Sequence, residues 1–395
     1  MIPYPHQVDG AEEVYDILKK HGLAYMAWEE RCGKTLASIL VAEMSKATKV
    51  LVITKKKALD GWYDTLRQYK HNKDYTVTNY HQAKKLKPVY DLVLLDESHS
   101  YVSGYPKPSK MWKEVAALTR GIPIIYMSAT PYAQGYQLLY NQFKLSTWTP
   151  FKFKSFYEFH RAWGIPDKIR TPFGLQETYK KIKPEVYKTI SHLFSTRTRK
   201  ELNFEHEPED HLHMIELSKQ TRDLYNKCMK DEMLLIPEKG IESPLDSPMK
   251  IRTTLHMVEG GVAKVDDSYY VLDNTEKIDA IVKDFGDTKD MVIMYQYIAE
   301  GEKLRKAFKH ATILQGTSFA EGVDLSMYKH LIIYSMDFST SRYSQRRARQ
   351  ANKKRDTPID VHFYLVDGAV SEQVYKTVAI NKENFINSLF IRSEI

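Results

Sequence analysis

Short runs that are apolar throughout alternate with stretches of helical spacing along the first third of the chain. Residues 23–27, 50–54, 92–95 and 122–127 are the apolar runs. Between them, residues 35–47 are patterned as a helix, and residues 58–69 place Leu59, Trp62 and Leu66 on one helical face. Strands that are apolar on both faces and separated by helices predict a parallel sheet covered on each side. The alternation returns late in the chain, with helices predicted at 276–285 and 300–308 and strands at 291–295, 311–314, 331–334 and 361–365. It breaks in the middle. Residues 151–163 are crowded with aromatics and lysines, and residues 178–201 read as helical and basic. Residues 231–271 read as irregular, with Pro237, Pro244, Pro248 and the pair Gly260-Gly261. The expected organisation is an α/β unit at 1–140, a helical insertion and linker region at 141–271, and a second α/β unit at 272–395. A length of 395 residues suits two to three domains of about 100–200 residues each.

Composition changes this picture little. Charged residues at 27% and hydrophobic residues at 43% describe a globular chain, not a disordered one. The net charge of +8 points mildly to a polyanionic partner, and residues 342–355 are densely cationic with no acid among them. Two distant cysteines, Cys32 and Cys228, exclude a disulfide framework and a cysteine zinc site, and they suit a reducing cytoplasm. No apolar stretch approaches the ~20 residues that span a bilayer, and the first residues lack the pattern of a signal peptide. A cytoplasmic protein that engages no membrane is expected.

The candidate chemistry begins at residues 90–99, Tyr-Asp-Leu-Val-Leu-Leu-Asp-Glu-Ser-His. This apolar run delivers two carboxylates at its end, a costly arrangement unless a cation or a reaction uses them. Asp96 suits a Mg²⁺ shell, and Glu97 suits a base that orients and deprotonates water. Alone, the same pattern also fits a solvated turn. Upstream, Gly33-Lys34-Thr35 opens a predicted helix directly after a predicted strand. Glycine lets the backbone approach a phosphate, lysine reaches the β and γ oxygens, and the threonine hydroxyl ligates Mg²⁺. The loop is poor in glycine. Trp28 stands where Gly or Ala usually opens it, and Arg31 stands where Gly is frequent. Glu29 and Glu30 are expected to point away or to pair with Arg31.

Taken in order, these residues resemble superfamily 2 helicases and translocases, specifically the branch of Swi/Snf-type ATPases and compact phage DNA helicases. Tyr4-Pro5-His6-Gln7 resembles the element that reads adenine through its glutamine. Residues 50–62 resemble the strand-plus-tryptophan motif, with Lys55 where proline is usual, and residues 77–81 resemble the next motif of the DNA-contacting lobe. Asp96-Glu97-Ser98-His99 is similar to the family's Asp-Glu-x-His box, and Ser128-Ala129-Thr130-Pro131 to its coupling motif. Residues 139–159 and 215–225 resemble Swi/Snf-type segments. Gly322-Val323-Asp324-Leu325 is similar to the nucleotide-facing loop of the second lobe, and residues 345–349 to the arginine-finger helix.

The resemblance implies two tandem RecA-like lobes, parallel sheets flanked by helices, with helical insertions between them. It implies ATP and Mg²⁺ in the cleft between the lobes. Gln7, Gly33, Lys34, Thr35, Gly322 and Asp324 would contact the nucleotide, Thr35 and Asp96 the metal. Glu97, Gln345 and Arg349 would serve the reaction, and His99 would link the acidic box to Ser128 and Thr130. Thr54, Asn79 and Ser318, at strand ends, would contact DNA phosphates in a sequence-tolerant, salt-sensitive way. One departure stands out: the second arginine of the finger helix is Asn352 here, with Lys353 or Arg355 as possible substitutes.

The expected activity is an ATP-dependent DNA translocase or helicase that unwinds, branch-migrates or remodels DNA. A phage role in replication, recombination or repair is expected, in the bacterial host's cytoplasm, as a monomer or a transient associate. An RNA helicase, or a nucleic-acid-binding module with weak ATPase, are the alternatives. His206, His211 and His213, among acids, read as a polar segment and not a metal site. The aromatics of residues 151–163 read as packing.

Overall fold

The computed structural model describes residues 1–132, 135–171, 174–202, 208–316, 325, 327–338, 343 and 359–382. It divides into two compact units, one within residues 1–203 and the other within 204–384.

The first unit is built on a six-stranded, all-parallel sheet. Its strands are β1 (Leu23–Trp28), β2 (Lys49–Thr54), β3 (Asp74–Asn79), β4 (Leu92–Asp96), β5 (Ile124–Met127) and, after a ribbon of β6 (Asp167–Thr171) and β7 (Gly174–Thr178), β8 (Phe194–Arg197). The order across the sheet is β3-β2-β4-β5-β1-β8. All six residues of β1 are buried, because helices cover the inner strands on both faces. Parallel strands place all their carboxyl ends on one edge, so Trp28, Thr54, Asn79, Asp96 and Met127 end their strands together there. That edge is where open α/β sheets take their ligands.

The segment between β5 and β8 is not helical throughout. Helices Phe156–Trp163 and Glu185–Ile190 flank the β6–β7 ribbon, and residues 194–197, expected as helix, form β8. The expectation failed because Phe-Ser-Thr-Arg is a short edge strand with only one neighbour, β1, and lacks a continuous apolar run. Phe151, Phe156 and Phe159 are buried against Tyr140 and Phe143, which is packing, while Tyr157 is exposed.

The second unit has a five-stranded parallel sheet of β9 (Pro208–Ile215), β14 (Met291–Tyr295), β15 (Thr312–Gln315), β16 (His330–Ile333) and β17 (Ile359–Val366), in the order β15-β14-β16-β17-β9. Residues 231–271, expected to be irregular, are regular. They form hairpins β10 (Met233–Ile236) with β11 (Ile241–Pro244) and β12 (Val262–Val265) with β13 (Ser268–Val271), around the helix Pro248–Glu259. Residues 141–271 thus contribute to both sheets, through β8 and β9. The histidines of β9 are absorbed into cross-strand pairing. His211 Nε2 meets Asp360 Oδ1 at 2.8 Å, and His213 lies 2.9 Å from Asp284 and 3.0 Å from His362. His206 lies outside the described residues. No helix among the described residues is long and apolar enough to cross a membrane.

Candidate active site

Where β1 ends at Trp28, residues 29–33 turn into the helix Lys34–Met44. Gly33 caps that helix at φ 81°, and a Cβ there would meet Gln7 Nε2 at 2.0 Å, so both conformation and space demand glycine. Gln7 is buried. Its Nε2 donates to Gly33 O at 3.1 Å and its Oε1 accepts from Tyr4 N at 2.8 Å, which ties the N-terminal helix to the loop. Arg31 adopts φ 67°, so the loop keeps a left-handed turn without glycine, at a cost of about 1 kcal/mol. Lys34 Nζ donates to Trp28 O at 2.7 Å and Glu29 O at 3.0 Å, which seats the ammonium inside the loop.

The missing opening glycine has a structural answer. Trp28 is fully buried and turned beneath the loop. Its Nε1 donates to Ser195 Oγ at 3.0 Å, and its ring lies under Gly10, where a Cβ would come within 2.4 Å of it. The acids have one as well. Arg199, just past β8, lies 3.9 Å from Glu29 and 3.5 Å from Glu30, and its backbone N–H donates to Glu29 Oε2 at 2.7 Å. The guanidinium that faces the two carboxylates comes from 169 residues downstream of Glu30, a pairing that no local pattern announces.

At the end of β4, Asp96 Oδ2 accepts from Thr54 Oγ1 at 2.7 Å and from Trp62 Nε1 at 3.1 Å, while Tyr80 OH donates to Asp96 O at 2.9 Å. Burial pushes the Asp96 carboxyl up from its ordinary range, and Glu97 adds to this. The bonds from Thr54 and Trp62 and the Lys34 charge oppose the shift. Glu97 stands at φ 52°, its N–H donating to Met127 O at 2.8 Å. His99 Nδ1 lies 3.4 Å from Glu97 Oε2 and 2.7 Å from Ser128 Oγ, and its Nε2 lies 3.5 Å from Thr130 Oγ1. Ser128 Oγ in turn accepts from Thr130 N at 3.0 Å. The structure therefore brings the acidic box and the 128–130 turn into one hydrogen-bonded cluster.

Behind it lies Gln142, fully buried on the helix Gln137–Phe143. Its Oε1 accepts from Tyr25 OH at 2.8 Å and Ser98 Oγ at 2.9 Å, and its Nε2 donates to Pro131 O at 3.0 Å and Leu138 O at 2.9 Å. It joins the residue after Glu97 to the residue after Thr130.

No protein-family model matches the sequence, and no curated protein matches it. Among solved structures, the chain is similar to the crystal structure of the Pyrococcus furiosus Hef helicase domain. The TM-score is 0.51 and the identity 13%, over 93% of this chain and 97% of that one. The chain has that fold. Its two parallel sheets are two tandem RecA-like lobes, flanked by helices.

Within the first lobe, the donor set of one ammonium, one hydroxyl, helix N-terminal amides and one carboxylate is made of the hard, anion-seeking and Mg²⁺-seeking groups that a Mg-triphosphate requires. Two residues assigned to DNA contact are placed differently from a surface role. Thr54 is fully buried with its hydroxyl on Asp96, and Asn79 uses its Oδ1 to accept from His81 N and Gln82 N at 3.1 and 3.2 Å. Ser318, Gly322, Asp324, Gln345, Arg349 and Asn352 lie outside the described residues. Sequence reasoning gave no role to Arg199 or Gln142, and Tyr80 appeared only within the motif at residues 77–81. Trp62 was read as part of a helical face and a motif and is here a direct partner of Asp96.

Proposed function

We propose that the chain is an ATP-dependent DNA translocase or helicase of the Swi/Snf-like branch of superfamily 2, a phage enzyme of replication, recombination or repair acting in the cytoplasm of a bacterial host. The observation that carries the reading is the cluster at the carboxyl edge of the first sheet, where Lys34, Asp96, Glu97, His99, Ser128 and Thr130 converge on a helicase fold. Lys34 and Thr35 hold the phosphates and the metal with Asp96, and Gln7 braces the loop beneath them. Bound Mg²⁺ supplies Lewis-acid charge stabilisation at the γ-phosphoryl group. Glu97 takes the proton of the attacking water, and His99 passes the change at Glu97 to the 128–130 turn. Gly322, Asp324, Gln345 and Arg349 keep the roles that the resemblance assigns them.

The test is ATP turnover with and without DNA and RNA. DNA is expected to stimulate turnover by about tenfold or more, and Lys34→Ala to abolish it. No turnover under any condition overturns the enzyme reading, and stimulation by RNA alone reassigns the chain to the RNA helicases.

Arg199 supplies a second expectation. Removing it takes the guanidinium away from Glu29 and Glu30 beside a polyanion, at a cost of about 1–3 kcal/mol. Arg199→Ala should raise the KM for ATP by roughly ten- to a hundredfold, with much smaller change in kcat. Adding Glu29→Gln and Glu30→Gln should restore most of the affinity, which steady-state kinetics at low salt will read. An unchanged KM in the single variant would remove the charge-balancing role.

A further inference from the structure

Besides residues 342–355, a second stretch of the chain is strongly cationic, most of it beyond the motif segment at 139–159. Residues 144–188 carry ten lysines and arginines against four acids. This segment lies wholly in the first unit and bears the β6–β7 ribbon. Among the described residues the two strands pair only with each other, from Asp167↔Thr178 to Thr171↔Gly174. Residues 174–177 and Lys168 are exposed, and Leu175 is 71% exposed. An isolated two-stranded hairpin is marginal in water, and this one is clamped at its base. Ile165 N donates to Lys181 O at 3.0 Å and Lys183 N to Trp163 O at 2.8 Å, with Gly164 bridging Ile182. Asp167 Oδ2 accepts from Thr178 Oγ1 at 3.1 Å and lies 3.3 Å from Lys181. Tyr179 packs edge-on against Phe156, Tyr157 and His160 of a helix whose Phe156 and Phe159 are anchored in the core. The mount is fixed, and the exposed Lys168 and residues 174–177 of the ribbon face solvent.

We propose that this ribbon and its basic mount bind duplex DNA, the ribbon entering the major groove and Lys168, Lys180 and Lys183 holding phosphates on its flanks. The proposal rests on the nucleic-acid reading above and adds the form of its ligand. A two-stranded β-ribbon matches the roughly 12 Å width of the B-form major groove, whereas the deep, narrow major groove of A-form RNA excludes it. All three lysines are exposed, so reversing their charge leaves the fold intact.

The full chain is titrated by fluorescence anisotropy against a blunt DNA duplex, a DNA single strand and an RNA duplex, over a range of salt. Lys168→Glu/Lys180→Glu/Lys183→Glu is expected to weaken duplex DNA binding by about a hundredfold at low salt. It should make the log–log salt slope shallower by about three, and leave single-strand binding within about threefold. A second variant, with residues 168–177 replaced by a glycine-serine turn, should lose duplex preference while keeping basal ATP turnover. Wild-type duplex binding that the triple variant leaves unchanged overturns the proposal alone. So does an equal loss on single strands, or wild-type binding of duplex RNA as tight as of duplex DNA. A wild-type chain that binds no nucleic acid overturns this proposal together with the functional reading.

Discussion

Glu97→Gln is expected to lower the kcat of DNA-stimulated ATP hydrolysis by about 10²–10⁴-fold, with the KM for ATP and the melting temperature near wild type. The prediction follows from how the residue is held. Its N–H is fastened to Met127 O at 2.8 Å, so its backbone is fixed to β5, the strand that leads into the 128–130 turn. It occupies φ 52°, a conformation that costs a non-glycine residue about 1–3 kcal/mol and that persists because the surroundings impose it. Its carboxylate reaches His99 at 3.4 Å. Glutamine has the same shape and can keep the contact with His99, but it accepts no proton from water. Asp96→Asn, in contrast, weakens the one carboxylate at the strand end suited to Mg²⁺, and should act on nucleotide affinity as well as on turnover. The two variants therefore separate in steady-state kinetics and nucleotide binding. A fall in kcat of less than about tenfold for Glu97→Gln would move the general base to another residue.

What was legible in the sequence follows physical lines. The inner strands β1, β2, β4, β5, β14 and β16 were readable because burial on both faces leaves an uninterrupted apolar run. The edge strands β8 and β9 were not. Phe194–Arg197 is half polar, and Pro208–Ile215 opens on Pro-Glu-Asp-His and leaves Leu212 and Met214 exposed, so neither offers a continuous apolar run. The candidate cluster was readable for a related reason: Lys34 begins an element, Asp96 ends one, and Glu97, His99 and Ser128 lie beside element ends, where a short motif marks both position and chemistry. What answered the departures came from far along the chain. Arg199 returns to Glu29 and Glu30, and the bulk of Trp28 is taken up by Gly10 and Ser195. The loop's missing glycines were visible in the sequence, but their compensation exists only in three dimensions.

Gln142→Leu is expected to be the most destabilising single substitution within the candidate cluster, about 3–5 kcal/mol, for a reason that its neighbours in the sequence conceal. Leu139-Tyr140-Asn141-Gln142-Phe143 reads as one more half-apolar helix turn. Yet the amide makes all four of its hydrogen bonds, two accepted from Tyr25 and Ser98 and two donated to Pro131 and Leu138, at a site with no access to water. Burial pushes the Tyr25 phenol far up, so it remains a donor in need of an acceptor. Leucine fills similar volume but strands the Pro131 carbonyl, and removes the amide acceptor from Tyr25 OH and Ser98 Oγ, which keep each other at 3.2 Å. Each stranded buried group costs about 1–3 kcal/mol. Thermal unfolding should register a fall of roughly 10 °C. Tyr25→Phe alone should cost only about 1 kcal/mol, because Gln142 keeps its other three partners. Adding Tyr25→Phe to Gln142→Leu should then cost less than the two single effects together, since a phenol that has already lost its acceptor has less to lose. Strict additivity in that cycle would mean that the Tyr25–Gln142 hydrogen bond contributes nothing to the loss. Non-additivity of about 1 kcal/mol or more would mark Tyr25 and Gln142 as one buried hydrogen-bonded unit behind the Glu97–Ser98 and Thr130–Pro131 turns.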